Sequence, residues 1–225
     1  MCAITMKRKY ETATTTTTSS TGARKMRRIV MSSLPDRMLA SSAQSNNECS
    51  PDTTVAKTLA QEAPLQSYAD CADFFHAPTQ AEIDAYDHEA LAAIRTQNMD
   101  VLRQFHATGR PLKCSNKFGE SLLHMACRKN MVGVTAFLTQ TASVPFAVCD
   151  DYGRTPLHDA CWAHTTNFEL IDLILTACPD LLYIKDKRGN TPLSYLRKDK
   201  WASWNKYLAT KSADFLKPKQ LPTSC

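Results

Sequence analysis

Asp151-Tyr152-Gly153-Arg154-Thr155-Pro156-Leu157-His158-Asp159-Ala160-Cys161 is the stretch from which the rest of the chain can be read. Two imperfect copies flank it. Upstream runs Lys117-Phe118-Gly119-Glu120-Ser121-Leu122-Leu123-His124-Met125-Ala126-Cys127, and downstream Lys187-Arg188-Gly189-Asn190-Thr191-Pro192-Leu193-Ser194-Tyr195-Leu196-Arg197. Gly119 and Gly153 are 34 residues apart, and Gly153 and Gly189 are 36 apart. Self-similarity at this spacing is the mark of a stacked repeat.

The residue types explain the spacing. Each glycine stands where a tight turn needs a positive φ, which only a residue without Cβ adopts freely. Ser121, Thr155 and Thr191 follow two positions on and offer a side-chain oxygen to cap a helix. Pro156 and Pro192 then fall at the first helical position, where a missing N–H costs nothing, and Leu122 replaces proline in the upstream copy. Leu123, Leu157 and Leu193 open the buried face.

On these residues the chain resembles the ankyrin-repeat family. The Gly-x-Thr-Pro-Leu-His core of Gly153 to His158 carries the resemblance, which extends over roughly residues 82–216. It implies an all-α repeat solenoid, with two antiparallel helices per repeat and a β-turn or hairpin projecting from each. About four repeats are expected, because one unit cannot bury its apolar face alone. The expected organisation is a basic, Thr/Ser-rich disordered tail over 1–66, a short helix or linker over 67–78, the repeat domain over 79–217 and a tail over 218–225.

Charge and composition fit that division. Residues 1–40 hold eight Lys/Arg against Glu11 and Asp36, a net of +6. The remainder balances 19 Lys/Arg against 20 Asp/Glu, a net of −1, so the basic character belongs to the tail. The Thr/Ser run from Thr12 to Thr21 and the polar stretch from Ser41 to Asp52 hold too little apolar surface to offset the entropy of ordering. Leu34 to Ala40 and Val55 to Glu62 are at most transient helical turns. No run of 18 apolar residues suits a membrane span, and no N-terminal apolar block suits a secretory signal. Nine scattered cysteines without a Cys-x-x-Cys pair fit a reducing, intracellular compartment, cytoplasmic or nuclear.

Two clusters, Lys7-Arg8-Lys9 and Arg24-Lys25 with Arg27-Arg28, lie 14 residues apart and resemble a bipartite import signal read by an importin-type carrier. An inert solvated tail and an organelle-targeting peptide are the competing readings.

Between the tail and the central motif, Ser67 to Phe75 suggests a short helix. Thr79 and Glu82 form a capping box for the first long one, with Ile83, Tyr86, Leu91 and Ile94 as its apolar residues. Val101, Leu102 and Phe105 build the second helix, which Gly109 ends. The second repeat continues with Val134, Phe137 and Leu138, and the third with Phe168 to Leu175 after a loop two residues longer near His164 to Asn167. Leu181, Leu182 and Ile184 read as an extended, buried approach to the last turn. Trp201, Trp204, Tyr207 and Leu208 share one face of a closing helix, with Phe215 and Leu216 completing the cap.

His158, Cys161 and His164 invite a metal or nucleophile reading. The resemblance instead implies that His158 and His124 are structural, bonding to backbone between repeats, and that Cys127 and Cys161 are small buried hydrophobes. No phosphate cradle and no second ligand pair is present, so neither catalysis, metal nor cofactor is expected. The resemblance also places partner contacts on the concave face of turn tips and first-helix ends. In this chain those positions are Arg95, Lys117, Phe118, Arg128, Lys129, Tyr152, Arg154, Trp162, Lys187 and Arg188, with Thr96, Glu120, Asp151, Ala163 and Asn190 among them. Their positive balance and aromatic content predict a protein with an acidic surface, anchored by Phe118, Tyr152 and Trp162. Nucleic acid is the runner-up, since basic and aromatic residues also suit phosphate and base contacts, though no nucleic-acid-reading motif accompanies them.

Overall fold

Side-chain caps mark where six of the eight described α-helices of the computed structural model begin, all but Val132–Ala136 and Trp201–Phe215; the structure describes residues 49–53, 55 and 67–215. After a 3-10 helix over Tyr68–Phe74, the Thr79 hydroxyl accepts the Glu82 N–H and the Glu82 carboxylate accepts the Thr79 N–H. This capping box starts α1, Gln80–Asp84. The single long helix expected here is in fact two. The Asp87 carboxylate takes the Ala90 N–H and starts α2, His88–Arg95. Ile83 and Tyr86 therefore lie before the break and Leu91 and Ile94 after it, which explains their poor common periodicity. Asn98 caps α3, Met99–Ala107, and Gly109 terminates it at φ 74°.

The second repeat pairs α4, Leu122–Arg128, with α5, Val132–Ala136, which runs on as a π-helical turn over Phe137–Thr141. The third pairs α6, Pro156–Trp162, with α7, Phe168–Ala177. Residues 129–131 join the first pair and 163–167 the second, so the two extra residues sit in the predicted loop. First helices stack on first helices, α4 on α6 and α6 on the turn Pro192–Tyr195. Between the layers Leu122, Leu123, Leu157, Leu170, Ile171, Ile174 and Leu175 are buried.

Two expectations require correction. Leu181 and Leu182 lie in a 3-10 turn, Pro179–Leu182, rather than an extended segment, because Pro179 fixes φ at its start. Both remain buried, as does Ile184. The fourth repeat has no first α-helix: Thr191 and Pro192 open only the 3-10 turn Pro192–Tyr195. A second 3-10 turn, Lys198–Lys200, then leads into α8, Trp201–Phe215. α8 buries Trp204, Tyr207 and Leu208, and Trp201 is half-buried. The Tyr207 ring stacks on Phe168 with centroids 4.6 Å apart, and its hydroxyl donates to Asp172 at 2.7 Å.

Described residues upstream of 67 also contact the last part of the chain. Pro51 and Val55 are buried, and the Cys49 carbonyl accepts from Asn205 Nδ2 at 2.9 Å. The import-signal candidates, the suggested turn over 34–40, that over 55–62 apart from Val55, and Leu216 all lie outside the described residues, as does the Phe215 side chain.

Candidate partner-binding face

Three residues before each repeat glycine stands a side chain with an sp² oxygen: Asn116, Asp150 and Asp186. Each makes the same turn. Oδ1 of Asn116 accepts the N–H of Phe118 and Glu120, that of Asp150 the N–H of Tyr152 and Arg154, and that of Asp186 the N–H of Arg188 and Asn190. Their carbonyls accept the N–H of Gly119, Gly153 and Gly189, each at 2.9 Å. The glycines occupy the left-handed region at φ 78°, 76° and 82°. Successive tips are tied by Asp151 N–H to the Phe118 carbonyl at 2.8 Å and Lys187 N–H to the Tyr152 carbonyl at 2.9 Å. Phe118, Tyr152 and Arg188 are thereby presented at equivalent positions. The sequence reading passed over this Asx position, although its recurrence before all three glycines was visible.

The histidines lock one repeat to the next. His124 Nδ1 accepts the Ser121 N–H, so Nε2 carries the proton and donates to the Arg154 carbonyl at 3.0 Å. His158 repeats the pattern, with Nδ1 accepting from Thr155 and Nε2 donating to Asn190 at 3.2 Å. Burial pulls the His158 imidazole down to about 4, holding it neutral.

Phe118, Tyr152 and Trp162 are exposed, at 53%, 46% and 63%. Beside Trp162 opens a cleft of about 330 Å³ lined by Glu120, Arg128, Arg154, His158, Asp159, Arg188 and Tyr195, while Phe118 and Tyr152 line a neighbouring hollow of about 290 Å³. A second hollow of about 400 Å³ on the other side of Trp162 is lined by Arg128, Lys129, His164 and Arg197 among others. Trp162 packs edge-on to Tyr195 at 5.9 Å, and Tyr152 lies between the guanidiniums of Arg154 and Arg188, each 5.1 Å from its ring centre.

The positive balance is smaller than the sequence suggests. Arg128 bridges Glu120 at 2.7 Å and Asp159 of the next repeat at 2.9 Å. Arg154 Nε donates to Asp150 at 2.7 Å. Asp150, Asp159 and Asp186 are buried carboxylates that a reading of exposed positions left out. The remaining excess comes from exposed Arg95, Lys117, Lys129, Lys187 and Arg188. Lys117 stands over the Phe118 ring at 5.0 Å, while Lys187 Nζ donates to the Asp151 carbonyl at 2.7 Å. Of the predicted cationic and aromatic positions only Arg128, Arg154, Trp162 and Arg188 line the central cleft; Arg95, Lys117, Phe118, Lys129, Tyr152 and Lys187 do not. Ala163, expected on the face, is buried, with its carbonyl accepting from Lys200. Tyr195 belongs to the face and was not foreseen there. Its hydroxyl donates to Asp186 at 2.6 Å, and burial together with that carboxylate pushes its phenol up to about 12.

A family model described as ankyrin repeats (three copies) matches residues 90–181, the segment holding these turns and histidine locks. Residues 90–181 carry ankyrin repeats. Such repeats are generally non-enzymatic modules for protein–protein contact. Part of the chain is also similar to SMC5-SMC6 complex localization factor protein 1. Identity to the Homo sapiens and Bos taurus proteins is 35% over 79 residues, covering 35% of this chain and 7% of theirs. Identity to the Mus musculus protein is 37% over 67 residues, 30% of this chain and 6% of that one. The matched stretch is thus a small part of those relatives.

Within the ankyrin architecture the His-Cys-His spacing has a structural explanation. His158 is turned toward Asn190, while burial drives the Cys161 thiol well above its ordinary range. His164, exposed, lies 3.5 Å from Arg197. Among the described residues no group of three His, Cys, Asp or Glu side chains is placed to hold a metal, and no helix is long and apolar enough to cross a membrane.

Proposed function

We propose that this chain is a non-enzymatic adaptor that holds a protein partner with an acidic surface against the concave face, around Trp162. The observation that carries the reading is the cleft itself. Exposed Trp162 stands in it with Arg188, Lys129 lines the hollow next to it, and rigid turns present Phe118 and Tyr152 in a third, so large anchors and cations are preorganised and little entropy is lost on docking. Arg128 and Arg154 shape the walls rather than supply free charge, because their carboxylate partners already compensate them. The relatives' name describes a factor that localizes a complex, a role that suits an adaptor. The basic clusters at Lys7 to Lys9 and Arg24 to Arg28 support import by a carrier and a nuclear site of action.

The test is a salt-dependent pull-down from cell extract comparing the full chain with Trp162→Ala and with Lys129→Glu plus Arg188→Glu. A protein retained by wild type, lost from both variants and weakened at higher salt supports the reading. Retention by both variants would sink it. Nuclease-sensitive material would point instead to nucleic acid.

A further inference from the structure

The fourth repeat lacks the histidine that the second and third use at their helix starts. Ser121 Oγ and Thr155 Oγ1 each lie 2.9 Å from the Nδ1 of His124 or His158. Thr191, buried in the same position, has Ser194 where the imidazole would be, with the two hydroxyls 3.1 Å apart. A hydroxymethyl group cannot fill the volume of a ring. The acceptor comes instead from a piece of chain 139 residues distant: the Thr191 hydroxyl donates to the Asp52 carboxylate. Around that contact Pro51 is buried, Val55 joins the core at 3% exposure, and Asn205 of α8 donates to the Cys49 carbonyl. Ser50 Oγ accepts the Thr53 N–H and sets the turn that aims Asp52.

We propose that the fourth repeat is a docking site for a short peptide bearing a proline, an adjacent carboxylate and an aliphatic residue four positions after the proline, and that this chain fills the site with its own residues 49–55 as a clasp. Each feature has a match: Asp52 replaces the missing imidazole as acceptor, Pro51 brings little entropy to lose, and Val55 completes the core. The own segment is the occupant because it is tethered. Only 11 residues, 56–66, separate Val55 from the described chain at Ser67, so its effective concentration is on the order of millimolar and a weak site stays filled. The clasp also steadies the turn Pro192–Tyr195, which carries Tyr195 into the concave cleft. That last consequence rests on the proposed function, whereas the docking itself does not.

A double-mutant cycle in the full chain tests the contact. Asp52→Ala and Thr191→Val should each lower Tm by about 2–4 °C, and the pair together by no more than the larger single loss. Additive losses would show that the groups do not meet. In Ser194→His the ring should take over the Thr191 hydroxyl, so that Asp52→Ala costs nothing there. An unchanged cost in that background overturns the substitution argument. Finally, full chain with Val55→Asp should exchange its 191–208 amides roughly tenfold faster, in proportion to opening of the local structure. A synthetic peptide of residues 47–57, titrated to about 1 mM against that variant, should restore protection. Failure to bind at that concentration, set by the tether's own effective value, would sink the docking site.

Discussion

The third and fourth repeats share Gly-x-Thr-Pro-Leu, yet they end differently. In the third, His158 spans from its own cap to the next turn, a full helix follows Pro156, and neighbours press from both sides. In the fourth, Ser194 makes no such span, and the helix shrinks to a 3-10 turn. The closing contact there comes from Asp52. The difference teaches that the motif secures the turn locally, but a stacked neighbour and a ring that reaches it are needed to draw out the helix.

Glycine substitution gives the largest expected contrast. A Cβ on Gly119 would stand 2.7 Å from the Cys149 carbonyl oxygen of the next turn, at φ 78°. On Gly189 it meets nothing within 4 Å, though φ is 82°. Gly119→Val should therefore cost about 4 kcal/mol or more, combining backbone strain with a clash, and Gly189→Val about 1–3 kcal/mol from strain alone. Equal losses in urea unfolding would contradict the stacked-turn geometry.

Acid comes next. His158 is held neutral in the fold with a value near 4, against about 6.5 when unfolded, so the unfolded chain binds the extra proton between those limits. Its contribution is complete above pH 6.5 and is lost as pH falls toward 4, by roughly 3 kcal/mol. His158→Gln should flatten that part of the stability–pH curve. The fourth repeat, with Ser194, adds nothing to this window. Asp186 acts lower: burial opposes ionisation, but hydrogen bonds from Tyr195 and two backbone amides outweigh it and hold the carboxyl below its usual range.

Tyr195→Phe removes the hydroxyl that donates to Asp186 and should cost about 1.5–3 kcal/mol by chemical unfolding, since one hydrogen bond to a charged group is lost. The smallest effect belongs to Trp162→Ala. At 63% exposure its ring should leave stability within about 0.5 kcal/mol while weakening partner capture. A large drop in Tm would place Trp162 in the core and remove it from the binding face.

Much of this was legible beforehand. Thr79 with Glu82, Gly109, the longer loop at His164 to Asn167 and the burial of Trp204, Tyr207 and Leu208 each follow from residues a few positions apart. The exposure of Phe118, Tyr152 and Trp162 followed from the repeat register. The charge of the face did not, because Asp150 and Asp159 are buried exactly where Arg154 and Arg128 meet them. A count of surface positions sees the arginine and misses its partner.

By itself the sequence determined the repeat, its register and its caps, since glycine, hydroxyl and proline act on backbone within one turn. It also determined which leucines face inward, through their spacing. Tertiary structure alone decided that the fourth repeat stops at a 3-10 turn, that Arg128 is shared between Glu120 and Asp159, and that residues 49–55 join the last repeat. Those outcomes depend on what stands across a gap of tens of residues, which no local pattern encodes.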